Sequence, residues 1–396
     1  MEIKNNKLLI LILGLLTAFG PISIDLYLPG FIEMAEDLKV PVSSIQYTLS
    51  SFFIGLSIGQ LIYGPISDRI GRKKPLLFGI ALFIITSFLI AVVKDLNSFV
   101  ALRFVQALGS CVGMVITRAI IRDSFRTKDI AKVFSLIILI MGVTPIFAPI
   151  IGSQILVFFN WRVMFVLLGS FGILAFLASA FFIKETLVEP VAYRKSFQNY
   201  INLFSDKSFI IASLVTGTAM AAMFSYISSS SFVFLELLGA TKNQYPLFFG
   251  LNAMGFIILS QVNIKLLNHY SIDQILKVAM GLFFFYSLLL CSITYFNLGL
   301  YFFEAGLFLQ ISCIGLIMPN MTTKALEFQT HRAGVASALM GSLQFLIAST
   351  GTMMVAALSS FGIWSMVLSI LIFVSISACL FLYYHWTNEK MELATL

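Results

Sequence analysis

The sequence predicts an all-α integral membrane protein, with twelve transmembrane helices in two pseudo-symmetric six-helix bundles. Three observations predict it. Twelve apolar stretches each approach or exceed the roughly 20 residues that a helix needs to cross a bilayer. The composition is 59% hydrophobic and 11% charged, with 40 Phe, which leaves little material for a water-facing surface. One long polar interruption, residues 184–208, divides the stretches into two sets of six.

The spans of the first half are expected at 8–28, 45–67, 75–93, 99–121, 133–156 and 163–183. Those of the second half are expected at 209–234, 246–266, 275–295, 299–318, 333–357 and 362–384. The domains are accordingly an N-terminal bundle (1–183), a linker (184–208) and a C-terminal bundle (209–396). Lys4 and Lys7 before the first apolar run resemble the basic start of a signal peptide, but Pro21, Asp25 and Pro29 suit a retained, working helix better. An even number of spans puts both termini on one side. With the termini in the cytoplasm, only Lys39, Lys94, Arg162 and Lys242 face outward and Arg103 lies within the fourth span; every other Lys and Arg falls inside. This bias also accounts for the net charge of +7, so no nucleic-acid partner is expected.

Other chemistry has little to rest on. No loop is long enough for a catalytic domain, and neither an H-E-x-x-H nor a P-loop motif occurs, so an enzyme or an ATP-driven pump is not expected. Cys111, Cys291, Cys313 and Cys379 lie in apolar spans without a C-x-x-C pair; no disulfide, metal or cofactor is expected. His269, His331 and His385 lie in loops or near a terminus and support no proton relay across the membrane. Trp161, Trp364 and Trp386 fall at span ends and read as interfacial anchors.

Between the second and third spans runs Gly64-Pro65-Ile66-Ser67-Asp68-Arg69-Ile70-Gly71-Arg72-Lys73-Lys74-Pro75. Gly64 and Gly71 permit close approach and a tight turn, and Asp68 is placed to cap or oppose the positive N-terminal end of a neighbouring helix. Arg69, Arg72, Lys73 and Lys74 are expected in water or paired with acids. This run resembles the signature loop of the major facilitator superfamily. The resemblance implies that Arg72 pairs with Asp123 at the cytoplasmic end of helix four and latches the outward-open state; a positive-inside loop without a gating role is the alternative.

Further runs resemble the Bcr/CflA group of drug:proton antiporters within that superfamily. They are Ile24-Asp25-Leu26-Tyr27-Leu28-Pro29, Arg103-Phe104-Val105-Gln106-Ala107-Leu108-Gly109 and Thr117-Arg118-Ala119-Ile120-Ile121-Arg122-Asp123. Met141-Gly142-Val143-Thr144-Pro145-Ile146-Phe147-Ala148-Pro149-Ile150-Ile151-Gly152 and Leu316-Ile317-Met318-Pro319-Asn320 belong with them. Ser153 stands where the helix-five motif usually has a second glycine, and the stretch from Tyr226 to Val233 lacks the glycine and proline often found in helix seven. With Gly142, Pro145, Pro149 and Gly152, helix five is expected to bend and fit tightly against a partner. The resemblance marks it as the antiporter motif that seals the cavity between the two halves; a kinked, lipid-facing helix is the plainer alternative.

A charge at the bilayer centre costs on the order of 2.5–3.5 kcal/mol even on the lenient insertion scale, so it normally lines a cavity or finds a partner. Asp25 and Arg103 both lie toward the outer side, in helices that line the central cavity in this superfamily, and are expected to approach each other. The hypothesis is that Asp25 carries the coupling proton and Arg103 tunes it, against a purely structural ion pair. Glu304 is the one acid well inside helix ten: a second proton carrier or a recognition point for a cationic group, although its place near the span end favours solvation in water. Arg118, one turn before the end of helix four, either snorkels or takes part in the cavity or gate. Tyr27, Gln106, Tyr226, Ser230, Asn252 and Gln344 supply an aromatic, weakly polar cavity lining, each weighed against an ordinary helix–helix hydrogen bond.

The resemblance implies a proton-coupled antiporter of the bacterial inner membrane, a monomer in lipid that exports small amphipathic compounds by alternating access, as in multidrug or antibiotic efflux. Export of an endogenous metabolite such as a siderophore or an amino acid is the alternative within transport. A non-transporting membrane sensor or scaffold is the alternative of another class.

Overall fold

The computed structural model describes residues 7–125, 127–187, 193–327, 329 and 333–395, with the backbone alone for 127–128, 130–132, 134–135, 138–141, 193–197 and 388–395. Lys4, Arg126, His331 and Arg332, and the side chains of Lys128, Lys132, Met141, Arg194, Lys195 and Lys390, lie outside that description. The described residues are helical almost throughout and contain no strand. This is what an apolar surround enforces, because a helix satisfies its backbone hydrogen bonds within one segment.

Two compact units divide between Gln198 and Asn199. The first holds α1 (Lys7–Thr17), α2 (Phe19–Asp25), a 3-10 turn (Leu28–Gly30), α3 (Phe31–Asp37), α4 (Val42–Ile70), α5 (Lys73–Ile90), α6 (Leu96–Ser124), α7 (Thr127–Phe158) and α8 (Arg162–Phe182). A short helix in the polar linker, α9 (Tyr193–Phe204), contains the division. The second unit holds α10 (Lys207–Phe232) with a π-helical turn (Val233–Leu237), α11 (Gln244–Leu266), α12 (Ile272–Tyr295), α13 (Leu300–Leu326), α14 (Ala333–Ala357), a 3-10 turn (Ser359–Phe361) and α15 (Ile363–Thr395).

Ten helices are long and apolar enough to cross a membrane, and the first span makes eleven as a pair bent by 40° between Lys7–Thr17 and Phe19–Leu38. The remaining expected span is α7, whose described apolar part is Gly142–Phe158. The expected spans thus coincide with observed helices, and the differences lie in where helices break and end. The first span bends after Thr17 and its α-helix is interrupted again after Asp25, α13 runs on past Pro319 to Leu326, and α15 runs on past Tyr384 to Thr395. The end of an apolar run need not end a helix when the polar residues beyond it can face water.

In the first unit α4 lies along α6, α5 lies against α6 and α8, and α1 and α2 rest on α6 and α7. In the second, α10 contacts α13, α14 and α15, while α13 contacts α11 and α12. Glycine allows these approaches where backbones nearly touch. A Cβ on Gly113 of α6 would collide with the Leu16 carbonyl of α1, and one on Gly55 of α4 would sit 2.5 Å from the Phe104 carbonyl of α6. Gly55-Leu56-Ser57-Ile58-Gly59 has the G-x-S-x-G form of a serine hydrolase elbow. It lies in the middle of α4 with Ser57 buried, so here it is a helix contact and not a strand-to-helix turn.

Hydroxyls inside the spans mostly bond back to their own helix. Ser229 Oγ donates to the Ser225 carbonyl at 2.7 Å and Ser230 Oγ to that of Ile227 at 2.9 Å, which lets these hydroxyls sit buried in α10. Trp161 departs from its expected interfacial place. It is fully buried, stacked on Phe99 at 5.5 Å, and its Nε1 donates to Asp37 at 3.2 Å. Aromatic partners from α6 and α8 and an acid from α3 converge on it, which position along the chain does not reveal.

Gly113→Val is expected to force α1 off α6 and destabilise the protein by about 1–3 kcal/mol or more. Gly281→Ala, where a Cβ meets nothing within 4 Å, should be neutral. Thermal unfolding of the two variants in detergent checks the contrast; equal melting temperatures would refute the close contact.

Candidate functional site

Arg103 lies fully buried within the first unit, and its surroundings follow from the break in the first span. Because α2 ends at Asp25, the Ser23 carbonyl, which Tyr27 would occupy in an unbroken helix, is open. Arg103 on α6 takes it, donating through Nη2 at 3.0 Å. Nη1 donates to Gln106 Oε1 at 2.6 Å, and Gln106 Nε2 passes the contact to Ser87 on α5 at 2.7 Å. The guanidinium carbon lies 4.3 Å from the Tyr27 ring centre and 4.1 Å from that of Phe52. Arg103 and Gln106 are fully buried, and Arg103 Nε has no hydrogen-bond partner. Tyr27 is buried too, its hydroxyl 3.2 Å from Thr48 Oγ1.

Asp25, two residues beyond the Ser23 carbonyl, is also buried but forms neither a hydrogen bond nor an ion pair among the described residues. The expected approach of Asp25 to Arg103 is therefore not an ion pair here. The backbone of the broken helix, an amide and aromatic faces take the cation instead. Against this break lies α7. A Cβ on Gly152 would collide with the Leu26 carbonyl and come within 3.3 Å of Pro29 Cγ, so the helix-five motif fits tightly on the first span one residue from Asp25. Pro149 is buried, while Gly142 and Pro145 are half-buried, and α7 continues as a helix through both prolines.

The loop between α4 and α5 is built on Gly71, whose φ of +99° suits glycine and ends α4. A Cβ there would strike the Glu185 carboxylate. Arg72 then turns inward and is buried. Its Nε donates to Asp123 Oδ2 at 3.0 Å and its Nη1 to Ser67 Oγ at 3.0 Å and to Asp68. The Arg72–Asp123 pair implied by the resemblance is thus present. The expected place of Asp68 is not: it meets the Arg72 side chain, and Glu185 holds the N-terminal end of α5, accepting from the backbone N–H of Arg72 at 2.8 Å and of Lys73 at 3.1 Å. Lys73 Nζ donates to the Ala180 carbonyl at 2.7 Å, Arg69 is exposed, and Gly64 lies within α4, its carbonyl accepting from Ser67. Glu185 falls in the polar linker, where no local pattern marks it. Backbone N–H groups of Arg72, Lys73, Thr186 and Leu187 outweigh its partial burial and hold its carboxyl below the ordinary range.

In the second unit Glu304 of α13 is not solvated, as its place near the span end had led one to expect. It is buried, and Asn252 Nδ2 of α11 donates to it, 3.1 Å from Oε1 and 3.2 Å from Oε2. The same Nδ2 is 3.2 Å from the Tyr226 hydroxyl of α10, and Tyr226 stacks on Phe249 at 5.7 Å. Three of the residues singled out in the sequence thereby meet at one point. Ser230 and Gln344 do not join them: Ser230 Oγ lies 3.0 Å from the Tyr245 hydroxyl, and Gln344 Nε2 donates to Thr216 Oγ1 at 3.1 Å. Arg118 is exposed. Asn320, the last residue of the Leu316–Asn320 run, pairs with Asn263, which the sequence did not mark, and joins α13 to α11, with Asn320 Nδ2 donating to Asn263 Oδ1 at 2.7 Å.

Residues 12–352 match the Major Facilitator Superfamily. The chain belongs to that superfamily. It is therefore a membrane transporter and not an enzyme. Similar proteins include an uncharacterized MFS-type transporter, YdgK, of Bacillus subtilis, 35% identical with 87% of this chain and 88% of that one covered. A bicyclomycin resistance protein homolog of Haemophilus influenzae is 30% identical with 90% of each covered. The multidrug resistance protein MdtL of Shigella dysenteriae is 28% identical with 91% of each covered. These relatives agree with the Bcr/CflA resemblance of the motifs. A crystal structure of a bacterial homolog of the human lysosomal transporter Spinster shares the fold at a TM-score of 0.75, with 14% identity and 96% and 97% of the two chains covered.

The superfamily loop gives a pH-dependent expectation. A carboxyl whose folded value lies below its unfolded one stabilises the protein above the unfolded value, and loses that effect as pH falls through the folded one. Glu185→Gln should therefore lower the melting temperature near pH 7, and the difference from wild type should fade below about pH 4. Melting curves of both proteins from pH 7 to pH 3 check this; a difference that grows on acidification would refute it.

Proposed function

We propose that this transporter is a proton-coupled secondary antiporter of the bacterial inner membrane that exports small amphipathic compounds by alternating access. The observation that carries the reading is Asp25: a carboxyl buried without a partner, at the break of a discontinuous span, with Gly152 of α7 against the next carbonyl. Broken helices inside a membrane protein are tolerated where the freed backbone lines a site, and ionisable groups there mark ion pathways. Asp25 takes up the coupling proton in one conformation and releases it when the opposite conformation hydrates it. Arg103, fastened to the Ser23 carbonyl, positions the segment that bears Asp25. Arg72, Asp68 and Asp123 tie α4, α5 and α6 together at one end of the first unit and bias the state in which they are joined. The names of the relatives support a drug-like substrate, and the Lys and Arg distribution supports cytoplasmic termini. The working unit is a monomer in lipid, with its domains at 1–183 and 209–396.

Inside-out vesicles with a preset pH gradient test the reading with a panel of antibiotics, siderophores and amino acids. A transported compound is expected to dissipate the gradient with wild-type protein and not with Asp25→Asn. Uphill accumulation by Asp25→Asn at the wild-type rate would remove Asp25 from the coupling step, and a response to siderophores or amino acids alone would move the substrate to an endogenous metabolite.

A further inference from the structure

Arg118 breaks the pattern of the cations around it in the first unit. Arg72 is met by Asp68 and Asp123, Arg122 Nε lies 3.7 Å from Asp123, and Lys73 donates to the Ala180 carbonyl. Arg118 forms neither a hydrogen bond nor an ion pair among the described residues, although it lies inside a span, six residues before α6 ends at Ser124. Its neighbours Ile116, Thr117, Ile120 and Ile121 are buried, whereas Arg118 is exposed. The lean of helical side chains toward the N-terminal end works against snorkelling here, because it turns the guanidinium away from Ser124 and back along the span.

The turns of α6 set the edge on which Arg118 stands. Met114, one turn before it, faces α2, with Sδ 3.3 Å from where a Cβ on Gly20 would lie. Cys111, two turns before it, faces α4, with its Cβ 2.8 Å from where one on Gly59 would lie. Arg118 thus lies on the edge of α6 between the first span and α4. α3 closes against α4, but α1 and α2 rest on α6 and α7 with little or no contact to α4, so this edge is open between them. Tyr63 comes to the same level from the α4 side. Gly55 and Gly59 of α4 meet Phe104 and Cys111 of α6 in step, and Tyr63, one turn past Gly59, reaches the level to which the Arg118 side chain returns. Cys111 interacts electrostatically with both residues. Tyr63 is buried, and its hydroxyl makes no hydrogen bond among the described residues.

We propose that Arg118 and Tyr63 form, within the first unit, a recognition site for the carboxylate of an amphipathic organic acid or zwitterion. The inference rests on the transport reading and narrows its substrate class. The forked N–H donors of Arg118 take both carboxylate oxygens, and the Tyr63 hydroxyl donates to one of them. The body of the compound lies along Met114 and Val115, half-buried one turn before Arg118. The nearby acids do not compete, since Asp68 and Asp123 are engaged by Arg72 and Glu185 by backbone N–H groups. A bound carboxylate supplies the charge that Arg118 lacks.

The test compares 4-phenylbutyrate with its neutral counterpart 4-phenylbutanol, binding at pH 7 to full-length protein in nanodiscs of phosphatidylcholine, with and without added phosphatidylglycerol. The readout is the carboxylate preference of wild type relative to that of Arg118→Gln, in which repulsion by the lipid surface cancels. It is expected to be about tenfold or more in both discs, with Arg118→Lys and Tyr63→Phe each keeping part of the wild-type preference. Equal binding of the two probes to wild type in phosphatidylcholine overturns the proposal, as does a preference that survives Arg118→Gln. A ratio that is large in phosphatidylcholine and vanishes with phosphatidylglycerol gives Arg118 to a lipid phosphate and overturns it too. Should Arg118→Gln fail to fold, the wild-type preference and its reduction in Arg118→Lys and Tyr63→Phe decide the matter. Because binding is read without flux, a protein that prefers the carboxylate yet moves nothing counts against the transport reading alone.

Discussion

Inside an apolar layer a charge or a free backbone carbonyl has no water to turn to, and each must be met by another part of the chain. The break in the first span creates such a carbonyl at Ser23, and Arg103 is the group that meets it. Arg103 in turn needs Gln106, Tyr27 and Phe52, which fixes how α2, α4 and α6 sit together. Gln106 reaches Ser87 and draws in α5. Ser23, Arg103, Gln106 and Ser87 thus form one connected network that starts from a carbonyl left open by the helix. The second unit follows the same rule with the opposite sign: Glu304 is met by Asn252, which brings α11 to α13 and Tyr226 of α10 to both.

The inversion of sign extends to the ends of the helices. Arg72 and Asp123 join the start of α5 to the end of α6, and Asp273 and Lys324 join the start of α12 to the end of α13, both pairs 51 residues apart. Arg103 stands as far before Asp123 as Glu304 stands before Lys324. The two pairs differ in their relation to the helix dipoles. Asp273 at a helix start and Lys324 at a helix end sit where the dipoles favour them, by about 0.3–1 kcal/mol each. Arg72 at a helix start and Asp123 at a helix end sit where the dipoles oppose them. The first pair is accordingly joined by Asp68 and by Glu185, which holds the start of α5, whereas Lys324 and Asp273 form a single hydrogen-bonded pair.

The spans were legible because hydropathy over 20 residues survives any detail of tertiary contact, and the Arg72–Asp123 pair because the motif resemblance carries it. What stayed hidden depends on which helices become neighbours. Glu304 lies near the start of α13, where water is the default surrounding, and only Asn252 and Tyr226, far away in sequence, make that position interior. Trp161 reads as an interfacial anchor until Phe99 and Asp37 enclose it. Glu185 lies 113 residues from the amide that it caps, so no local capping pattern identifies it. The separation of Asp25 from Arg103 has the same origin: two opposite charges in apolar spans invite pairing, but the broken backbone between them competes for the guanidinium and wins.

That competition bears on how a proton on Asp25 can matter to the rest of the first unit. Asp25 has no partner of its own, so adding or removing a proton breaks no bond within the cluster. Its segment is nevertheless held on two sides, by Arg103 at the Ser23 carbonyl and by Gly152 of α7 at the Leu26 carbonyl. In the proposed coupling role a charge on Asp25 is hydrated or neutralised, and any displacement of its segment meets Gly152 on one side and Arg103 on the other. Movement past position 152 requires a residue without a side chain there, and movement together with Arg103 requires a cation bound to backbone rather than to the titrating acid. Were Arg103 paired directly to Asp25, protonation would release it and uncouple α6 from the movement. Held by the carbonyl, Arg103 has a bond to the segment of Asp25 that does not depend on the protonation state of Asp25, which is what the proposed coupling role requires of a link between α2 and α6.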